Sequence, residues 1–107
     1  MAKYLIEASY SQAGLKALIK DGGTGRKKAV VAAARKLGGK VESMYFAFGT
    51  SDVYVTVDAP DNITAASLAL AVGGTGIAAH LKTIVLLTPE EVDQAAKKSA
   101  GSGFRTP

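Results

Sequence analysis

Alternating apolar and polar side chains mark four short segments of this 107-residue chain. Residues 3–10, 40–48, 52–58 and 79–87 each show the two-residue period of a β-strand with one buried face. In the first and third segments the alternating apolar positions are Tyr4, Ile6, Ala8, Val53, Val55 and Val57. The pattern predicts four strands, of which the second and third form a hairpin.

The segments between the strands have helical spacing. A short helix is predicted over residues 11–20 and a second over 25–37, separated by a glycine-rich break. A nearly uncharged helix follows over residues 61–72, where its lack of charge predicts extensive burial. A terminal helix begins at Thr88, where Glu91 completes a capping box.

The order is therefore strand, helix pair, strand, strand, helix, strand, helix. With right-handed crossovers it gives an antiparallel sheet of order 4-1-3-2 with helices on one face. This is the α+β, ferredoxin-like βαββαβ arrangement with an extra C-terminal helix. We expect one domain over residues 1–99 and a flexible tail over residues 100–107.

Such a sheet leaves its second face without helices. If the valines of the third strand face the helices, bulky apolar side chains of neighbouring strands lie on that open face and need a cover. A second copy of the chain is the simplest cover, so we predict a homodimer or higher homo-oligomer. The predicted interface residues are Leu5, Met44, Phe46, Phe48 and Tyr54.

The composition limits the class of protein, its compartment and its kinds of partner. Apolar residues make up 48% and charged residues 21%, as in ordinary globular proteins. The absence of cysteine excludes disulfides and thiolate chemistry, and it favours the cytoplasm. The net charge of +4 is small and part of it lies near the C-terminus, so we do not expect nucleic-acid binding, and we expect no membrane span.

Several polar residues are predicted to meet at one edge of the sheet. The end of the first strand, the hairpin turn and the start of the fourth strand share that edge, and the basic start of the second helix can approach it. The candidate ligand-binding residues are Tyr10, Arg26, Lys27, Lys28, Asp52, Tyr54 and His80.

The basic residues of this group indicate a possible ligand. Cations in the first turn of a helix oppose its dipole, and a bound anion would offset that cost. The alternative is a glycine-rich helix break with a solvated basic turn. One histidine and scattered carboxylates do not make a metal site, so we expect no metal and no cofactor. Asp52 is also expected to cap the hairpin turn.

The segments described so far resemble the GYD domain family over residues 3–93. The resemblance lies in Lys3–Tyr10, Gly23–Arg26, Leu37–Glu42, Tyr45–Gly49, Asp52–Val57, Ala59–Asn62 and Leu87–Glu91. Gly49 and Asp52 match the name-giving glycine and aspartate, whereas Ser51 stands where the family usually has tyrosine. The resemblance implies a dimeric α+β barrel and carries no assigned activity.

Three functions fit these features. The leading hypothesis is a non-enzymatic, dimeric small-ligand-binding or regulatory module, because the chain lacks a convincing nucleophile. The first alternative is a small dimeric-barrel enzyme of the cofactor-free monooxygenase or isomerase type, using Asp52, His80 and Tyr10 or Tyr54. A water-connected cavity joining those side chains would favour the enzyme. The second alternative is a structural assembly unit.

Overall fold

The computed structural model describes residues 1–105 and contains one four-stranded antiparallel sheet. The strands are β1 (Ala2–Tyr10), β2 (Lys40–Phe46), β3 (Val53–Ala59) and β4 (Ala78–Leu86). The helices are α1 (Gln12–Lys36), α2 (Asn62–Gly73) and α3 (Pro89–Ala100). The strand order β2-β3-β1-β4 confirms the predicted ferredoxin-like arrangement.

The predicted helix pair forms one element with a kink. Gly22 has φ 72° and ψ 168°, a conformation that L-residues rarely adopt, and it separates two helical arms of α1. Ser11 caps the first arm by accepting a hydrogen bond from the Gly14 amide at 3.1 Å. The break is where the glycines predicted it, but the helix resumes at once, without an intervening loop.

The core lies between the helices and one face of the sheet. Alternate residues of β1 and β3 are buried there, as the sequence pattern predicted. Buried side chains of α1 and α2 pack against them. The buried apolar residues are Tyr4, Ile6, Ala8, Ala34, Met44, Val53, Val55, Val57, Ala59, Ala65 and Leu68.

A β-bulge at Glu42 makes the predicted placement of Met44 and Phe46 on the open face wrong. Val41 pairs with Val57, but Ser43 pairs with Thr56, so Glu42 is an extra residue in β2. An extra residue reverses which side chains face the helices beyond it. Met44 lies opposite Val55 and is buried in the core, and Phe46 lies opposite Val53 on the same face.

The open face instead carries two cross-strand rows. Ser43, Thr56, Leu5 and Ile84 form one row, and Tyr45, Tyr54, Glu7 and Lys82 form the next. The predicted positions of Leu5 and Tyr54 on this face are thus confirmed. Phe48 lies beyond the end of β2 and is fully exposed.

Helix α2 is less buried than its composition predicted. Ala65 and Leu68 reach the core, whereas Ile63 and Leu70 are each about three-quarters exposed. The helix is apolar all round, but the small domain covers only one of its sides.

Helix α3 projects from the body of the domain. The predicted capping box is present, since Glu91 and Thr88 exchange side-chain and backbone hydrogen bonds, yet none of the helix residues is buried. The radius of gyration is 16.7 Å. A compact chain of this length would have about 13 Å. The predicted tail begins at Ala100, the last residue of α3, and its residues 106 and 107 lie outside the described part of the chain.

Candidate functional site

A cavity of about 190 Å³ lies between the helices and the sheet. Most of its wall is formed by apolar side chains of the four strands, α1 and α2, including Ile6, Met44 and Leu81. Among the described residues that line it, the polar side chains belong to Tyr10, Arg26 and Thr75. The cavity is therefore an apolar chamber with a small number of polar groups, as is typical of small-molecule sites.

Arg26 reaches the cavity from the second arm of α1. It lies four residues before Val30 on the apolar stripe of the helix, so its side chain points toward the sheet. The side chain is only 17% exposed. Its Nε is buried and has no hydrogen-bond partner, while Nη1 makes a long contact of 3.4 Å with Asp21. A guanidinium with a buried, unsatisfied N–H is costly, and such a group commonly serves function.

Tyr10 lies beside Arg26 at the cavity wall, and Asp52 is bound to the Tyr10 backbone. The Tyr10 amide donates to Asp52 Oδ2 at 2.8 Å, and the Asp52 amide donates to the Ala8 carbonyl at 2.8 Å. Asp52 thus joins the start of β3 to the end of β1, which is a structural role, although it caps the Tyr10 amide and not the hairpin turn. Of the predicted site residues, the fold brings together Tyr10, Arg26 and Asp52.

The pKa of the Tyr10 phenol is raised above its ordinary value. Burial is the main cause, the nearby positive charge of Arg26 opposes it, and the negative charge of Asp52 adds to the rise. At neutral pH the phenol is therefore protonated and available as a hydrogen-bond donor toward the cavity.

This raised pKa predicts weaker folding at high pH. The folded state holds the Tyr10 proton more tightly than the unfolded chain does, so its stabilisation is complete below pH 10 and declines as the pH rises through the raised pKa. Urea unfolding from pH 8 to 11 should show a larger loss of stability for the wild type than for Tyr10→Phe. Identical pH dependence of the two proteins would contradict the assigned environment of Tyr10.

The other candidate residues lie elsewhere. Lys27 and Lys28 are exposed and border a shallow groove on the outer side of α1. Tyr54 lies on the open face of the sheet, and the exposed His80 is paired with Ser9 on the same face. The sheet separates these two residues from the cavity. His80 and Tyr54 therefore do not join Tyr10 and Asp52 in one constellation.

Sequence reasoning missed most of the cavity wall. Val72 and Leu81 have the apolar pattern of ordinary core positions, and Met44 was predicted to lie on the open face. One signal was available, since Arg26 extends the apolar stripe of α1 by one turn toward its N-terminus. A cation on the buried stripe of a helix is unusual and points to a charge facing the interior.

Two further features bear on the chemistry of the described residues. Within residues 1–105, no three His, Cys, Asp or Glu side chains are grouped closely enough to hold a metal ion. Over the same residues, no helix has the length and hydropathy needed to cross a bilayer.

Comparisons with known proteins support the family and the fold. The family model described as GYD domain matches residues 4–96. A solved structure described as the crystal structure of FFRP-DM1 is similar with a TM-score of 0.58, over 81% of this chain and 100% of that chain. Its identity is 11%, so this likeness shows the fold alone. No curated protein matches the sequence.

Proposed function

The chain belongs to the GYD domain family, and from this premise we propose that it is a non-enzymatic, dimeric module that binds a small anionic ligand. The observation that carries the proposal is the buried, unpartnered Nε of Arg26 at the wall of a largely apolar cavity. The lack of cysteine makes the cytoplasm the proposed compartment.

The binding part of the proposal depends on the cavity. Its volume of about 190 Å³ is large enough for a small organic molecule. The residues that could perform acid-base chemistry are not grouped around the cavity. His80 lies on the opposite face of the sheet, and the Asp52 carboxylate is occupied by a hydrogen bond from the Tyr10 amide. Binding without a reaction therefore fits the cavity better than catalysis does.

The dimeric part depends on the open face of the sheet. Leu5, Ile84 and Tyr54 lie in its two middle rows, beside the polar Thr56 and Glu7, and no helix of the described chain covers them. Charged groups mark one end of this face, where the Lys3 Nζ donates to Asp58 at 2.8 Å and also to Glu42. These carboxylates raise the Lys3 pKa to about 12. Aromatic and aliphatic side chains interspersed with polar and charged groups are usual at a protein interface.

Neighbouring residues of β4 allow a matched test of the interface. Ile84 lies on the open face and Val85 on the helix side, at 39% and 54% exposure. Ile84→Glu should convert the dimer to a monomer in light scattering, because a charge would be buried between two sheets. Val85→Glu should remain dimeric. A dimer in both variants would place the interface elsewhere.

Native mass spectrometry of the chain purified without added ligand tests the binding function. We expect a dimer carrying a small co-purifying mass. Ala71→Phe should remove that mass, because Ala71 lines the cavity and a benzyl side chain would fill it. Ala66→Phe is the control, since Ala66 lies on the same helix but outside the cavity wall. An empty wild type, or equal loading of both variants, would contradict the proposal.

A further inference from the structure

We propose that the cavity ligand is a small monocarboxylate with one compact apolar body, and that Arg26 and Tyr10 bind its carboxylate. This inference rests on the proposed binding function and names the class of ligand. It follows from the donors at the cavity wall, the number of charges that face it, and its volume.

Two polar groups of the wall, the Arg26 guanidinium and the Tyr10 phenol, are hydrogen-bond donors beside each other. Arg26 Nε is buried and unpartnered, and the Tyr10 phenol beside it is protonated at neutral pH. Thr75 is already engaged, since its hydroxyl donates to the Val72 carbonyl at 2.6 Å. An acceptor with two oxygens would satisfy the guanidinium and the phenol together, and a carboxylate has that geometry.

The charges near the site favour a ligand with no more than one negative charge. Arg26 is the cation among the described lining residues, because Lys27 and Lys28 border the outer groove. The carboxylate of Asp52 is close enough to raise the Tyr10 pKa, and it would repel a second negative charge. Asp21, 3.4 Å from Arg26 Nη1, already offsets part of the guanidinium charge. A phosphate dianion would therefore be poorly balanced here, whereas a monocarboxylate brings only one negative charge to Arg26.

The volume limits the apolar part of the ligand. An apolar cavity of about 150 Å³ in another protein holds benzene. The cavity described here, at about 190 Å³, has room for a six-membered ring or a branched chain of similar size together with a carboxylate. Its walls of valine, leucine, isoleucine and methionine favour an uncharged hydrocarbon body.

Three probes separate the charge from the apolar body. Phenylacetate has both, phenylacetamide has the body without the charge, and acetate has the charge without the body. Methyl NMR of Val53 and Val55, which line the cavity, reports binding directly. We expect phenylacetate to bind about tenfold to a hundredfold more tightly than phenylacetamide, the range of one charge-assisted hydrogen-bonding pair. Acetate should bind more weakly than either aromatic probe.

Variants identify the residues that recognise the charge. Arg26→Met should lower the affinity for phenylacetate to that of phenylacetamide, and Arg26→Lys should give an intermediate affinity. Lys27→Met is the matched control, because it removes a neighbouring cation from the outer groove, and its affinity should be unchanged. The comparison of the two aromatic probes on the wild type requires no variant to fold.

Two outcomes would overturn the inference in distinguishable ways. Equal affinity of the wild type for phenylacetate and phenylacetamide would reject the carboxylate site while leaving a ligand-binding cavity. No perturbation of the Val53 and Val55 methyls by any probe at millimolar concentration would reject the inference and the proposed binding function together. Equal weakening by Arg26→Met and Lys27→Met would show that net charge, and not the cavity donor, attracts the anion.

Discussion

Gly14→Ala is expected to destabilise the protein by about 2–4 kcal/mol. Gly14 is buried in the first arm of α1, where that arm meets the loop before β4. A methyl group added at its Cα would lie 2.1 Å from the carbonyl oxygen of Ile77 and 2.9 Å from the Tyr10 ring. The backbone at Ile77 cannot rotate away as a flexible side chain can, so the first arm of α1 would have to shift.

The arm is also held at this point by hydrogen bonds, which makes a shift costly. The Ser11 amide donates to the Ile77 carbonyl at 2.8 Å, and the Ser11 hydroxyl donates to the Gly76 carbonyl at 2.6 Å. Moving Gly14 away from Ile77 strains both contacts. Urea denaturation at fixed protein concentration measures the loss of stability.

Gly73→Ala provides the control for this substitution. Gly73 ends α2, and nothing lies within 4 Å of the methyl group that the substitution would add. Alanine is the better helix former, so this variant should match the wild type or exceed its stability by up to about 1 kcal/mol. Equal unfolding midpoints for Gly14→Ala and the wild type would show that the close approach to Ile77 is wrong.

Tyr4→Ala is expected to cost about 3–5 kcal/mol, the range observed when a large buried aromatic is truncated. Tyr4 is 1% exposed and packs with Ala59 and Ala65, where β1, β3 and α2 meet. Its hydroxyl donates to Asn62 Oδ1 at 2.6 Å. Tyr4→Phe removes only that hydrogen bond and should cost about 1 kcal/mol.

The ratio of the two losses checks the assignment of Tyr4 to the core. Urea unfolding of both variants should give a several-fold larger loss for Tyr4→Ala than for Tyr4→Phe. Phe48→Ala is the control for an aromatic truncation, because Phe48 is fully exposed, and it should change stability by less than about 0.5 kcal/mol. A small loss in Tyr4→Ala would mean that the packing of Tyr4 against Ala59 and Ala65 contributes little to folding.

The sheet could be predicted from the sequence because its signals are local. Strict alternation in β1 and β3 identifies their buried face, and the capping residues at Ser11 and Thr88 mark helix starts. The orientation of β2 beyond Glu42 could not be predicted. A β-bulge depends on pairing with β3, and the apolar pattern of β2 is compatible with either face inward.

The site was predictable only in part. Proximity of Tyr10 and Asp52 followed from the strand order, since both lie at the same edge of the sheet. The separation of Arg26 from Lys27 depends on the rotation of the helix after the kink at Gly22, which sequence spacing does not fix. Consecutive residues on a helix point about 100° apart, so one can face the cavity while the next faces water.

Strand β1 has an unusual position in this fold, because its two sides serve different surfaces. Ile6, Ala8 and Tyr10 form part of the cavity wall, whereas Leu5 and Glu7 lie on the open face of the sheet. Inserting or deleting one residue within β1 would exchange the two sets and damage both surfaces at once. The strand can therefore change its side chains during evolution far more easily than it can change its length.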